Sequence, residues 1–375
     1  MKSVTILLLH MQHGGIEKQT ITLANELCKD YKVNIISTYS MKAPPAYPLD
    51  GRVDVKYLID DKPNKDDFKA AIRSKNPISI LREGFKAFSI LRKKKSLMVK
   101  EIKKLTCDYV LSTRIEFADM LSAYAPKGVV TITQEHLHDD SPEYVSRVKS
   151  SFRNLDNLVV LCEGSEVNHG RWLSDNKKIK LVRIPNILES IPKETATLSG
   201  CNIVSVGRLH PVKDFSTLID VFNEVQKEIP EANLTIVGGG DEYDMLIKKI
   251  ESLGLSEKAK VTGMVSKEKV LEYMLSSDLY VMTSLTECFP MVLLEASSVG
   301  LPLVSFDVPV GPKAIIENGK NGYLIEDKKV GEMADRIVDL LKNREELTAL
   351  GRRSKEMASR YLPENVMPLW HRLFK

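Results

Sequence analysis

One unit of chain recurs along this sequence: a short apolar run, a turn, then a stretch with helical period. The run 4–9 leads to His13-Gly14-Gly15, and the segment 16–28 sets Ile16, Leu23, Ala24 and Leu27 on one helical face. Comparable β-like runs stand at 33–37, 53–58, 108–112, 129–133, 158–162 and 180–184. Strands separated by helical stretches close into βαβ units, which predicts a mostly parallel sheet with helices on both faces.

The period lapses over 188–200, Leu-Glu-Ser-Ile-Pro-Lys-Glu-Thr-Ala-Thr-Leu-Ser-Gly, which reads as an interdomain linker. Beyond it the pattern restarts with a strand at 202–206, the turn Gly207-Arg208 and a helix at 215–225. Further strands are expected at 233–237, 279–282, 302–306 and 322–325. At about 150 residues per domain, a chain of 375 suits two domains. We expect a doubly wound N-terminal domain over 1–190 and a second over 191–360. A helical segment over 361–375, set off by Pro363, is expected to pack back on the N-terminal domain.

Composition removes several classes. Hydrophobic residues at 43% and charged residues at 28% are ordinary for a globular chain. Cys28, Cys107, Cys162, Cys201 and Cys288 are scattered without a C-x-x-C, which disfavours a disulfide framework or zinc site and suits a reducing compartment. The apolar run after Lys2 stops at His10 with no cleavage site behind it, and no stretch approaches the roughly 18 apolar residues of a membrane span. A cytoplasmic protein is the expectation.

A net charge of +4 argues against nucleic-acid binding, but it is unevenly placed. From Arg73 to Lys104, eleven Lys or Arg stand against Glu83 and Glu101, a local charge of +9. Ile78, Leu81, Phe85, Phe88, Ile90, Leu91 and Leu97 are interleaved with them. A basic amphipathic helix over 73–104 suits an anionic membrane surface. The alternative is a solvated helix whose apolar side packs on the sheet.

Open parallel sheets bind ligands beyond the carboxyl ends of their strands, so the residues after each strand are the candidates. They include Gly14 and Gly15; Glu135 and His136; Gly207, Arg208 and Lys213; Gly238-Gly239-Gly240-Asp241; and Glu287. Arg208 and Lys213 straddle a helix start and suit a pair of phosphates, or are surface cations. Pro290 suits a first helical position, which leaves the N–H groups near Met291 and Val292 free. Glu287 precedes that helix and Glu295 lies about a turn and a half inside it, so they are placed to reach different parts of one extended ligand, or form a solvent-exposed pair. Gly14-Gly15 admits a close ligand or makes a tight turn, and His136 has the alternative of a packed or surface histidine. His136, His138, Asp139 and Asp140 fit no standard metal-ligand spacing, so no metal is expected. G-x-G-x-x-G, P-loop, G-x-S-x-G and H-E-x-x-H signatures do not occur.

Together the pieces resemble glycosyltransferase family 4, the retaining, nucleotide-sugar-dependent enzymes of the GT-B fold. The likeness covers most of the chain and is densest over 202–326. It rests on His13-Gly14-Gly15, on Ser205-Val206-Gly207-Arg208-Leu209 with Lys213, on Val237-Gly238-Gly239-Gly240, and on E-x7-E as Glu287 to Glu295. Phe289-Pro290-Met291-Val292-Leu293-Leu294-Glu295-Ala296 and the runs around Gly300, Gly311-Pro312 and Asn318–Gly322 look like the bacterial surface-polysaccharide branch. The resemblance implies an α/β GT-B architecture, two doubly wound Rossmann-like domains facing across a cleft.

It implies that Arg208 and Lys213 hold the donor diphosphate, Glu295 the ribose, and Glu287 and His136 the transferred sugar. Gly15 would offer its backbone, and Met264 and Val265 would meet the base. The implied reaction moves a hexose or N-acetylhexosamine from a UDP-sugar to a cell-envelope glycan, lipid-linked at the inner face of the plasma membrane, with no cofactor. A UDP-sugar epimerase and a non-catalytic nucleotide-sugar-binding subunit are the alternatives. Cys288 and Asp214 depart from the glycines usual at their places, which puts the donor's identity in question.

Overall fold

The computed structural model describes residues 1–64 and 67–375 in full, and the backbone alone at 65 and 66. Two parallel sheets form. The first uses β1 (Ser3–Leu8), β2 (Lys32–Tyr39), β3 (Asp54–Ile59), β4 (Tyr109–Ser112), β5 (Val130–Gln134), β6 (Asn157–Val160) and β7 (Lys180–Arg183), ordered β3-β2-β1-β4-β5-β6-β7. The second uses β8 (Asn202–Val206), β9 (Asn233–Val237), β10 (Ala259–Val261), β11 (Leu279–Met282), β12 (Leu303–Asp307) and β13 (Gly322–Glu326), ordered β10-β9-β8-β11-β12-β13. Neighbouring strands pair in parallel throughout.

Parallel strands covered on both faces have to be apolar along their whole length, and the central ones are. β4, β6 and β11 are buried at every residue, while β3 and β7 at the sheet margins are mostly accessible. The connections in the first sheet carry α1 (Gly15–Leu27), α2 (Lys65–Arg73), α3 (Pro77–Ile102), α4 (Ile115–Tyr124), α5 (Pro142–Ser151) and α6 (Glu163–Trp172). Those in the second carry α7 (Phe215–Glu228), α8 (Tyr243–Ser252), α9 (Lys267–Leu275) and α10 (Met291–Ser298), followed by α11 (Val330–Lys342), α12 (Arg344–Ala358) and α13 (Pro363–Leu373). Among the described residues, no helix is long and apolar enough to cross a membrane.

The chain divides into two compact units. The first is Met1–Leu161, Glu166–Ile187 and Leu369–Lys375; the second is Cys162–Ser165 and Leu188–Pro368. Leu7, Val110, Phe117, Leu158 and Trp172 centre the first core, with Met98 and Ile102 of α3 against them. In the second, Leu218, Phe222 and Val225 of α7 and Ile337 and Leu340 of α11 are buried.

Several expectations need correcting. The basic stretch 73–104 is not one helix: α2 ends at Arg73, Lys75 takes a left-handed φ of 53°, and Asn76 starts α3 by accepting from Ile78 N at 3.0 Å. Pro77 then occupies the first turn, where its missing N–H costs nothing. Residues 188–200 hold neither helix nor strand, yet they are no free linker. Ala196 N donates to Val299 O at 2.9 Å, Lys355 Nζ donates to Glu194 O at 2.7 Å, and Leu198 is buried, so this strap is bound to the second unit. At the C-terminus, Phe374 packs at 4.7 Å on the Tyr109 ring and 5.2 Å on Tyr31, inside the first unit.

Strand order reverses at β1/β4 in one sheet and at β8/β11 in the other. In doubly wound sheets ligands settle beyond the carboxyl ends at such a reversal. Gly14 and Arg114 follow the first pair; Gly207 and Glu287 follow the second.

Candidate active site

The second unit builds its site from three loops joined backbone to backbone. Gly207 N donates to Val237 O and Leu209 N to Gly239 O, both at 3.0 Å, so the turns after β8 and β9 run together. Gly238 is obligatory there: its φ is +147°, and a Cβ would lie 1.9 Å from Gly207 O. With Leu209 drawn into the core, Arg208 between these anchors is exposed, and among the described residues no protein group pairs with it. Pro211–Lys213 forms one 3-10 turn, ending at Asp214 with φ 46° and ψ 47°.

That left-handed residue accounts for an apparent anomaly of the sequence. Asp214 adopts the conformation glycine would favour and uses its carboxylate to cap α7, accepting from Thr217 N at 3.3 Å and Thr217 Oγ1 at 2.7 Å. The loop after β11 is tied to the same turn. Leu285 N donates to Val212 O at 2.9 Å, and Thr283 Oγ1 donates to Asp214 O at 2.9 Å. This brings together two predicted residues, Lys213 and Glu287, as an ion pair with both side chains largely shielded. Gly311 N holds the Glu287 carbonyl at 3.0 Å.

Pro290 is the residue before α10 rather than its first, since its ψ of 94° lies outside the helix. The consequence survives one residue later: no side chain caps α10, whose first residues are Met291 and Val292. Glu295 lies on the same helix, half-buried. Tyr280, fully buried, donates to Val206 O at 3.1 Å and accepts from Val206 N at 3.2 Å. Burial holds its phenol well above the ordinary range, and the Glu287 and Glu295 carboxylates add to that, so both acids bear on one ring. Phe289 meets Tyr361 edge to face at 5.7 Å. Cys288 is buried against 162–165, with its Sγ 3.7 Å from Ser165 Oγ. Met264 follows Gly263 (φ +72°) and leans over Gly239, largely exposed, and Val265 is half-buried.

In the first unit the predicted glycines cover an acid. A Cβ on Gly14 would lie 2.0 Å from Glu17 Oε2, whereas one on Gly15 would meet nothing within 4 Å. Glu17, on the first turn of α1, is buried and accepts from Arg114 at 2.7 Å. Tyr47 spans the turn, its hydroxyl 3.3 Å from Gly14 N. His136 follows β5, and its buried Nε2 has no hydrogen-bond partner among the described residues. Burial, with a smaller contribution from the Arg114 cation, lowers its pKa to about 4. Glu135 is buried too and is raised by desolvation, against hydrogen bonds from Leu137 N at 3.0 Å and the Tyr144 hydroxyl at 2.8 Å.

Sequence reasoning missed Glu17, Tyr47 and Arg114. Arg114 had a signal, for it stands just beyond the strand expected at 108–112. Glu17 and Tyr47 had none. Among the described residues no group of three or more His, Cys, Asp or Glu is arranged to hold a metal ion.

Residues 189–357, which lie within the second unit, match the family model Glycosyl transferases group 1. The chain is similar to an exopolysaccharide phosphotransferase of Streptomyces coelicolor, 26% identical over 100% of this chain and 40% of that protein. It therefore spans well under half the length of that relative. An uncharacterized glycosyltransferase of Haemophilus influenzae is 27% identical over 95% of both chains. Among solved structures, a point mutant of S. aureus TarM in complex with fondaparinux, alpha-GlcNAc-glycerol and UDP has a TM-score of 0.78 at 17% identity, covering 100% of both chains. The fold class expected from the sequence is the one observed: two doubly wound, Rossmann-like α/β units of the GT-B type.

Proposed function

We propose that this protein is a retaining, family 4-like glycosyltransferase. It moves a hexose or N-acetylhexosamine from a UDP-sugar to a cell-envelope glycan, lipid-linked at the inner face of the membrane. The observation that carries the reading is Arg208, an exposed cation with no partner among the described residues, near the Lys213–Glu287 pair at the β8/β11 reversal. A cation kept unpaired at such a place suits an anion, and a diphosphate fits two cations and an uncapped helix start. The UDP in the TarM complex and the exopolysaccharide in the Streptomyces relative's name support donor and acceptor class. The phosphotransferase activity in that name belongs to a protein more than twice as long and is not carried over.

In this reading Arg208 and Lys213 neutralise the departing diphosphate as the bond from sugar C1 to phosphate oxygen breaks. The acceptor hydroxyl oxygen bonds C1 on the face that the diphosphate is leaving, and its proton passes to a phosphate oxygen. Glu287 then exchanges Lys213 for sugar hydroxyls, Glu295 takes the ribose hydroxyls, and Met264 and Val265 meet the base. Phe289, Pro290, Met291 and Val292 place the start of α10 at the phosphates. His136, neutral above about pH 4, hydrogen-bonds the donor sugar, and the open side of Gly15 admits the diphosphate or acceptor. No step calls for a metal. The first unit takes the acceptor and the second the nucleotide sugar.

Incubation with a panel of UDP- and GDP-sugars, followed by product analysis, is the test. Transfer or slow hydrolysis of a UDP-sugar with the anomeric configuration retained is expected. Glu287→Ala should lower the rate about a hundredfold, the scale for loss of a group that acts at the reacting centre. Inertness toward every donor, or an inverted product, would refute the reading.

A further inference from the structure

The apolar residues of α3 lie on two separate faces. Glu83, Lys94, Met98 and Ile102 are buried, the last two in the core of the first unit. About a third of a turn round the helix, Ile78, Leu81, Phe85 and Phe88 follow one another at steps of three, four and three residues. They are 78%, 64%, 74% and 64% exposed. Packing on the sheet therefore does not account for this stripe. Where it ends, Phe88, Leu91, Val99 and Tyr124 line a shallow furrow with Arg92 and Lys95 among its walls.

The charges divide in the same way. Lys94 is buried and paired with Glu116 at 2.8 Å, and Arg82 and Lys86 lie within 3.1 Å and 3.9 Å of Glu83. Arg92, Lys93, Lys95 and Lys100 are exposed and, among the described residues, have no carboxylate partner.

We propose that this outward face of α3 docks on an anionic lipid bilayer. The Ile78–Phe88 stripe enters the boundary of the acyl chains and the unpaired cations meet lipid phosphates. A patch of large exposed side chains is uncommon on a chain that stays free in water. Its charge selects the occupant: a second copy would set one strongly basic helix against another, and a polyanion without an apolar layer would leave the stripe in water. The inference goes beyond the transferase reading and does not depend on it.

Flotation of the full chain tests it, with vesicles of phosphatidylcholine alone and with phosphatidylcholine containing phosphatidylglycerol. The anionic vesicles should carry at least about tenfold more protein. Phe85→Ser with Phe88→Ser should lose about tenfold of that binding. So, separately, should Arg92→Glu with Lys93→Glu and Lys95→Glu. Lys94 is left in place because it is buried and paired. Circular dichroism shows whether each variant folds, and the charge variant carries the test alone if the apolar one does not. The proposal is overturned if the parent fails to float on anionic vesicles, floats equally on both kinds, or is matched by the folded charge variant. It is also overturned if the parent is a dimer in lipid-free sedimentation that Phe85→Ser with Phe88→Ser dissolves. Flotation reads no chemistry, so its failure leaves sugar transfer standing.

Discussion

The two sheets share a strand order and differ in what they place where that order reverses. Each central strand, β1 or β8, is followed by a turn with glycine, and each reversal sets a second loop beside it. Beyond β8 the turn presents Arg208 to solvent without a partner among the described residues, with Lys213 held by Glu287. Beyond β1 the turn covers Glu17, which takes up Arg114, and nearby His136 is kept neutral. One end leaves positive charge exposed; the other has neutralised its charges internally and keeps hydrogen-bonding groups. Topology thus sets where the loops gather, while the few residues after the strands set the charge there.

The difference is sharpest when the two arginines are removed in turn. Arg114→Ala leaves Glu17 buried without its cation and should cost about 3 kcal/mol of stability, read from denaturant unfolding. Arg208→Ala removes an unpaired surface group and should leave the unfolding midpoint unchanged. Equal stability losses would erase the distinction.

A pH-dependent effect separates the neutral end from its surroundings. The folded pKa of His136, about 4, lies below the ordinary 6.5, so the unfolded chain binds its proton more readily. This residue therefore withdraws stability as pH falls from 6.5 toward 4, on the order of 3 kcal/mol in all. Glu135, raised by burial, acts with the opposite sign above its ordinary value, so the effect is read as the difference between the parent and His136→Gln. Stability measured across that window should fall less steeply in the variant; parallel curves would show that His136 titrates normally.

Much of the fold was legible because a strand buried on both faces has to be apolar, and 202–206, 233–237 and 279–282 lie where their runs put them. β10 was not, since Ala259-Lys260-Val261 is three residues long with an exposed lysine at its centre. The division of 73–104 was written in Asn76-Pro77, a cap and a first-turn residue, but the density of charge around it hid the signal. Sequence pointed to Lys213 and Glu287 separately through the strands they follow. Their pairing spans 74 residues, and periodicity carries no information about such a contact. Glu17 and Arg114, 97 residues apart, were hidden for the same reason.

The central claim is that the loops after β8 and β11 hold a nucleoside diphosphate through an arginine kept free for it. Calorimetric titration of UDP into the full chain, for the parent and for Arg208→Ala, tests it directly. Saturable binding by the parent is predicted, with at least about tenfold weaker binding by a variant whose unfolding midpoint is unchanged. A parent that does not bind UDP, or a variant that binds it equally well, would contradict the claim.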